Sequence, residues 1–201
     1  MRHDPERRRL LTSAAAAALA VTLPRPAFAL NVDEARALVD KVVGDINAVI
    51  ASGKPVEAMI RDFEGIFTRY ADVGYIAQSS LGPAGRAASK GELSQYAKAF
   101  AGYISRKYGK RFREFIGGSI EVTDAHPLKS FFEVTSVARL KGEAPFEVRW
   151  HVFDKNGKQK FFNLIIEGVN MLASERTEIG AMLDQAGGDI GKLSAALTRA
   201  G

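Results

Sequence analysis

The chain has 201 residues, with 28 basic against 23 acidic side chains, a formal charge of +5 and no cysteine. The lack of cysteine excludes disulfide, thiolate and metal-thiolate chemistry, so the fold must be held by packing alone. A positive balance of this size would suggest nucleic acid only if the folded domain carried it, and the N-terminus indicates otherwise.

Residues 1–29 read as a cleavable export signal. Arg7, Arg8 and Arg9 form a positive n-region, Leu10 to Leu23 form an alanine-rich apolar stretch, Pro24 breaks it, and Ala27-Phe28-Ala29 supplies the small-x-small cleavage pattern. Its apolar stretch would make a helix of roughly 21 Å, short of the ~30 Å hydrocarbon core, which argues against an anchor. Arg-Arg-Arg-Leu-Leu resembles a twin-arginine signal, and Thr12, Ser13 and Arg25 fit that route. An ordinary n-region also carries arginines, so both routes stay open. Cleavage after Ala29 removes five arginines and two acids, leaving 23 basic and 21 acidic residues, a net of +2. The remaining stretch, 30–201, is long enough for one domain with a real core, has no second apolar run of membrane-spanning length, and carries no nucleic-acid footprint.

The first half of that domain has helical periodicity. Asn31 and Glu34 form a capping box for a helix bearing Leu38, Val39, Val42, Val43, Ile46, Val49 and Ile50, ended by Ser52-Gly53. Pro55 suits the first position of a second helix, with Met59, Ile60, Phe63, Ile66 and Phe67 on one face. A short apolar segment, Asp72 to Leu81, runs to the breaker Gly82-Pro83. Ser89 and Glu92 then cap a helix carrying Leu93, Tyr96, Phe100, Tyr103, Ile104 and Tyr108.

After Gly117-Gly118 the period changes from 3.6 to 2. Strands are predicted from Ile120 to about His126-Pro127, over 130–141, over 145–154, and from Gln159 to Glu167. Asp154-Lys155-Asn156-Gly157 is a hairpin turn between the last two. The strand from Gln159 is apolar on both faces, so both should be covered. Two helices follow, about 172–186 and 189–200, with Asp189 as a cap. The expected fold is α+β: an antiparallel sheet of about four strands, with helices before and after it.

Catalytic and metal signatures are sparse. Only His126 and His151 remain after cleavage, neither at metal-ligand spacing, and both read as surface side chains. No nucleophile elbow or phosphate loop occurs. Glu167, at the end of an apolar strand, reads as an exposed strand end or a helix cap. Arg106, Lys107, Lys110, Arg111 and Arg113 read as a solvated helix end, with anionic head groups or an acidic partner as the functional alternative. What stands out is the number of large apolar side chains, which composition alone assigns equally to a filled core or a cavity.

The stretch from Phe162 to Ile179 resembles the signature of the MlaC, or toluene-tolerance auxiliary, family of periplasmic phospholipid-binding proteins. Ile166, Glu167, Gly168 and Val169 match its Ile-Glu-Gly-Val, with Asn170 in place of Ser, and Ser174, Glu175, Arg176 and Gly187-Gly188-Asp189 continue the pattern. Leu81-Gly82 and the span from Ala99-Phe100 to Tyr108-Gly109 resemble upstream family features. After Leu-Gly the family often has a basic and aromatic run, where this chain has Pro83-Ala-Gly-Arg-Ala-Ala.

The resemblance implies a single lipid-binding domain in the periplasm whose sheet and helices enclose an apolar cavity. It implies no cofactor, no metal and no catalytic residue. The cargo would be phospholipid, passed between an outer-membrane lipoprotein complex and an inner-membrane MCE-domain ABC transporter as part of an outer-membrane asymmetry system. Within such a cavity the expected lipid-facing residues are Phe132, Val134, Val148, Trp150, Leu164 and Ile166 from the sheet. Opposite them would stand Phe63, Phe67, Ile76, Leu81, Phe100 and Ile104 from the helices. Two other occupants are consistent with the same frame: a hopanoid-type lipid, or the substrate of a small isomerase- or dehydratase-like enzyme. An enzyme would need a buried acid paired with a tyrosine or histidine in the cavity.

Overall fold

The computed structural model describes residues 31–110, 112–155 and 157–201. The predicted signal lies outside these residues, as do Arg111 and Asn156; for Arg113 only the backbone is described. In chain order the elements are α1 (Val32–Ile50), α2 (Val56–Tyr70), α3 (Val73–Ser80), α4 (Pro83–Ala87), α5 (Lys90–Gly109), α6 (Phe112–Phe115), β1 (Ser119–Leu128), β2 (Phe131–Arg139), β3 (Phe146–Lys155), β4 (Lys158–Ile166), β5 (Val169–Asn170), α7 (Met171–Gln185) and α8 (Ile190–Leu197).

Local chemistry explains the boundaries. Asn31 with Glu34 and Ser89 with Glu92 form reciprocal capping boxes on α1 and α5, while Asp72, Asn170 and Asp189 each accept from the third residue of their helices. Pro55 precedes α2 as its N-cap, whereas Pro83 takes the first turn of α4. That short helix occupies a stretch expected to be a break: a proline supplies a helical φ at N1 as readily as it ends a helix.

The strands form one antiparallel meander in the order β1-β2-β3-β4-β5. The sheet therefore has five strands where about four were expected. The fifth is a two-residue strand closed by Glu167 (φ +50) and Gly168 (φ +81), with Ile166 opposite Val169. Two consecutive positive φ angles make a tight hairpin turn of the kind that suits the twist of the flanking strands. Glu167 is an exposed strand end and caps no helix.

Register places Val134 opposite Trp150 and Trp150 opposite Leu164, with Val148 opposite Ser136 and Ile166, so these residues share one face. In β4 the pairing shifts between His151/Asn163 and Val152/Phe161, leaving Phe162 as an extra residue. This bulge brings Phe161 onto the same inner face as Leu164 despite their odd spacing. It is also why the strand looks apolar on both sides. On the outer face Phe162 meets Tyr75, Phe131, His151 and Phe153 at ring distances of 4.8 to 5.7 Å.

The helices cover the inner face. α1 lies across β1 and β2, where Asn47 pairs with both backbone groups of Ile120 and Arg36 donates to the Val122 carbonyl. α2, α3 and α5 pack on one another, α8 packs on α5, and α7 closes against α3 and β4. A bridge from Ala71 to Phe161, with the Asp72 N–H donating to the Phe161 carbonyl at 2.9 Å, joins the α2–α3 corner to the sheet.

Candidate functional site

Between the helix layer and the β3–β4 half of the sheet lies a cavity of about 480 Å³, within the range of small-molecule sites. Its walls are mostly apolar. Phe63, Phe67, Ile76, Phe100 and Ile104 line it from α2, α3 and α5, and Val148, Trp150, Leu164 and Ile166 line it from β3 and β4. Nine of the twelve residues named from the sequence thus share one wall system.

The other three do not line it. Val134 is fully buried and Phe132 partly buried on β2, under the half of the sheet that α1 fills, and Leu81 is buried at the C-cap of α3. Sharing the inner face was therefore not enough: α1 closes the β1–β2 side and leaves the opening under β3–β4. Val42 and Ile46 of α1 also line it, as do Ile120 at the start of β1, Phe146, Phe161, Phe162 and Leu172.

The polar groups in the walls are few and mostly engaged. The Trp150 indole N–H donates to Ser136 Oγ at 2.9 Å, and Ser136 in turn donates to the Val148 carbonyl. Ser105 donates to the Ala101 carbonyl. Asn163 accepts from the Leu172 N–H at the start of α7, and its Nδ2 lies 3.4 Å from His151 Nδ1.

One polar cluster joins the cavity to the surface, and the sequence reading missed it. Glu175, only 3% exposed, lies in the wall and takes hydrogen bonds on Oε1 from the Tyr108 hydroxyl and from Lys107 Nζ at 2.7 Å. Lys107 also meets Glu178, which accepts from the Tyr103 hydroxyl. Burial and the hydrogen bond to Glu175 push the Tyr108 hydroxyl above the ordinary phenol range. Burial works against the charge on Lys107, but the hydrogen bonds to Glu175 and Glu178 outweigh it and hold the ammonium above its usual value. Hydrogen bonds from Lys107 and then Tyr103 hold the Glu178 carboxyl below its usual value. A sequence signal for this cluster did exist: Glu175, Ile179 and Leu183 recur at four-residue spacing and form the buried stripe of α7.

The described part of the basic run, Arg106, Lys107 and Lys110, is tied into the fold by hydrogen bonds. Besides Lys107, Arg106 donates to the carbonyls of Leu197 and Ala200, and Lys110 to that of Gly201, so α5 holds down the end of α8. His151 is also not a surface side chain. It is 9% exposed on the outer face, 3.0 Å from a Glu133 oxygen and stacked beside Phe131. His126 is half-exposed near Asp124 and Glu133. Among the described residues no cluster of potential metal ligands forms, and no helix is long and apolar enough to cross a membrane.

Two of the motifs meet in space. Gly82 takes φ +59, and a Cβ built there would lie 3.2 Å from the Arg176 guanidinium, so the turn after α3 leaves room for a side chain of α7.

The pattern of the family described as MlaC protein matches residues 36–199. A solved structure of a phospholipid-binding protein from Ralstonia solanacearum, in complex with a phospholipid, shares the fold at a TM-score of 0.70. It is 17% identical, and the match covers 82% of this chain and 95% of that one.

Proposed function

Because the chain belongs to the MlaC protein family, we propose that it is a periplasmic carrier that holds the acyl chains of a phospholipid in the cavity under β3 and β4. The observation that carries this reading is a largely apolar cavity of about 480 Å³ in a domain whose structural neighbour was solved with a phospholipid. The physics gives such a protein a task. Each methylene left in water costs about 0.8 kcal/mol, so two chains of ~16 carbons cost roughly 25 kcal/mol. Unaided diffusion across an aqueous gap is negligible at that cost, and a dry pocket removes the barrier without chemistry. The export signal read at residues 1–29 fits a place between two membranes, where an outer-membrane lipoprotein complex and an inner-membrane ABC transporter would be donor and acceptor.

An enzyme reading has one specific observation in its favour: Glu175 and Tyr108 form a buried acid–tyrosine pair in the wall. Burial raises Tyr108 above its ordinary value, so it holds its proton and serves poorly as an acid near neutrality. Lys107 occupies the same Glu175 oxygen. Both features suit a wall better than a proton shuttle.

Native mass spectrometry of the protein purified from its host tests the carrier reading. A co-purified lipid is the expected result and would name the cargo, hopanoid or phospholipid. Protein that arrives empty and also takes up no labelled phospholipid from vesicles would overturn it.

A further inference from the structure

The hydrogen-bonding capacity of the cavity wall is one-sided. Among the described residues, each donor-bearing side chain that lines it has a partner within the protein: Trp150 donates to Ser136, Ser105 to Ala101 and Tyr108 to Glu175, and Asn163 Nδ2, with two N–H groups, lies 3.4 Å from His151. Among the described residues no lysine, arginine or histidine lines it, and the ionisable groups there, apart from Tyr108, are the carboxylates of Glu114, Glu143, Glu167 and Glu175. Lys107, the nearest described cation on the Glu175 side, is committed to Glu175 and Glu178.

Within this wall Glu175 Oε2 is buried and has no hydrogen-bond partner among the described residues. A buried carboxylate oxygen without a donor is costly, and the cost disappears when a donor arrives. A phosphate offers only acceptors and negative charge, and among the described residues the wall holds no cation for it and no donor beyond the second N–H of Asn163. An N–H or O–H group meets an oxygen that needs it.

We propose that Glu175 sets the cargo specificity of the cavity: its free oxygen receives a hydrogen-bond donor from the polar part of the lipid, either an ammonium N–H or a free hydroxyl. The assignment rests on the carrier reading above. It makes the cargo a donor-bearing lipid, such as one with an ethanolamine head group or an unesterified hydroxyl, in preference to one that only accepts.

The test is enrichment from vesicles of dioleoylphosphatidylcholine carrying trace radiolabelled dioleoyl lipids that differ only in the polar part. Phosphatidylethanolamine offers an ammonium donor, dioleoylglycerol a hydroxyl donor, and phosphatidylcholine neither. The purified protein should enrich at least one donor lipid about tenfold over phosphatidylcholine, the factor one hydrogen bond to a charged group brings. Whichever of the two is enriched identifies the source of the donor. In Glu175→Gln the amide oxygen stays with Lys107 and Tyr108 and an NH₂ replaces the free oxygen, so the preference should fall to within about twofold. Equal uptake of all three lipids by the wild type, or an unchanged preference in Glu175→Gln, would overturn the assignment and leave the carrier reading standing. Uptake of none would overturn both. Should Glu175→Gln fail to fold, the wild-type comparison decides alone.

Discussion

Ile104→Trp probes the cavity most directly. Ile104 is partly buried on α5 with its side chain in the lining, and tryptophan adds about six non-hydrogen atoms at that point. If cargo chains fill the space, roughly six methylenes are displaced. At about 0.8 kcal/mol each this is about 5 kcal/mol, or between 10³- and 10⁴-fold in Kd. The empty protein should barely notice. Burying roughly 50–100 Å² more apolar surface gains about 1–2.5 kcal/mol, set against about 1–3 kcal/mol of overpacking. Binding is read from the fluorescence of a tail-labelled phospholipid titrated as vesicles, and stability from thermal melts. Gln95→Trp, on the exposed side of the same helix, controls for the added indole and should bind like the wild type. A folded Ile104→Trp protein whose Kd stays within about threefold of wild type would refute the idea that cargo occupies this space.

Three further outcomes follow from the packing and the charges. Trp150→Phe removes the hydrogen bond to Ser136 and part of a buried ring, and should cost about 2 kcal/mol in urea unfolding. Gly109→Ala would place a Cβ 2.6 Å from Ile60 Cγ1 across the α2–α5 contact. It should cost about 1–3 kcal/mol, with Ile60→Ala restoring part of that in the double variant and giving a measurable coupling. Glu178, held below its ordinary value, gives stability that is present above about pH 4.5 and lost as pH falls through its folded value. With its side chain 47% exposed the contribution should be under about 1 kcal/mol, so the stability gap between wild type and Glu178→Gln should be flat from pH 5 to 8 and shrink below pH 4.

Much of this was legible in the sequence because local rules and the fold agree. The Asn31–Glu34 and Ser89–Glu92 boxes located two helix starts, and alternation in 130–141 and 145–154 located two strands, observed at Phe131–Arg139 and Phe146–Lys155. What stayed hidden depends on two elements meeting. The β4 bulge puts Phe161 and Leu164 on one face, and no single-strand period reveals that. Phe132 and Val134 have the right parity but lie under α1, a long-range placement that their own strand does not record. Glu175 looked like one polar residue of a polar helix until its spacing with Ile179 and Leu183 placed it on the buried stripe. The basic run at Arg106, Lys107 and Lys110 looked solvated because its partners, Glu175 and the carbonyls of the last residues, are about 70 to 90 positions away.

The order of the strands bears on how the cavity comes into being. Every strand pairs with its neighbour in the chain, so the sheet is built from short loop closures. The helices that roof it reach much further, with residue 47 bonding to residue 120 and residue 106 to residue 200. Loop-closure entropy favours short contacts before long ones, so the helix layer is finished only when α1 has docked on the sheet and α8 on α5. Truncating the α1 or α8 contacts should therefore speed unfolding far more than it slows folding. In a domain organised in this way the sheet rests on contacts local in the chain, and the helix layer over it on contacts that join distant parts of the sequence.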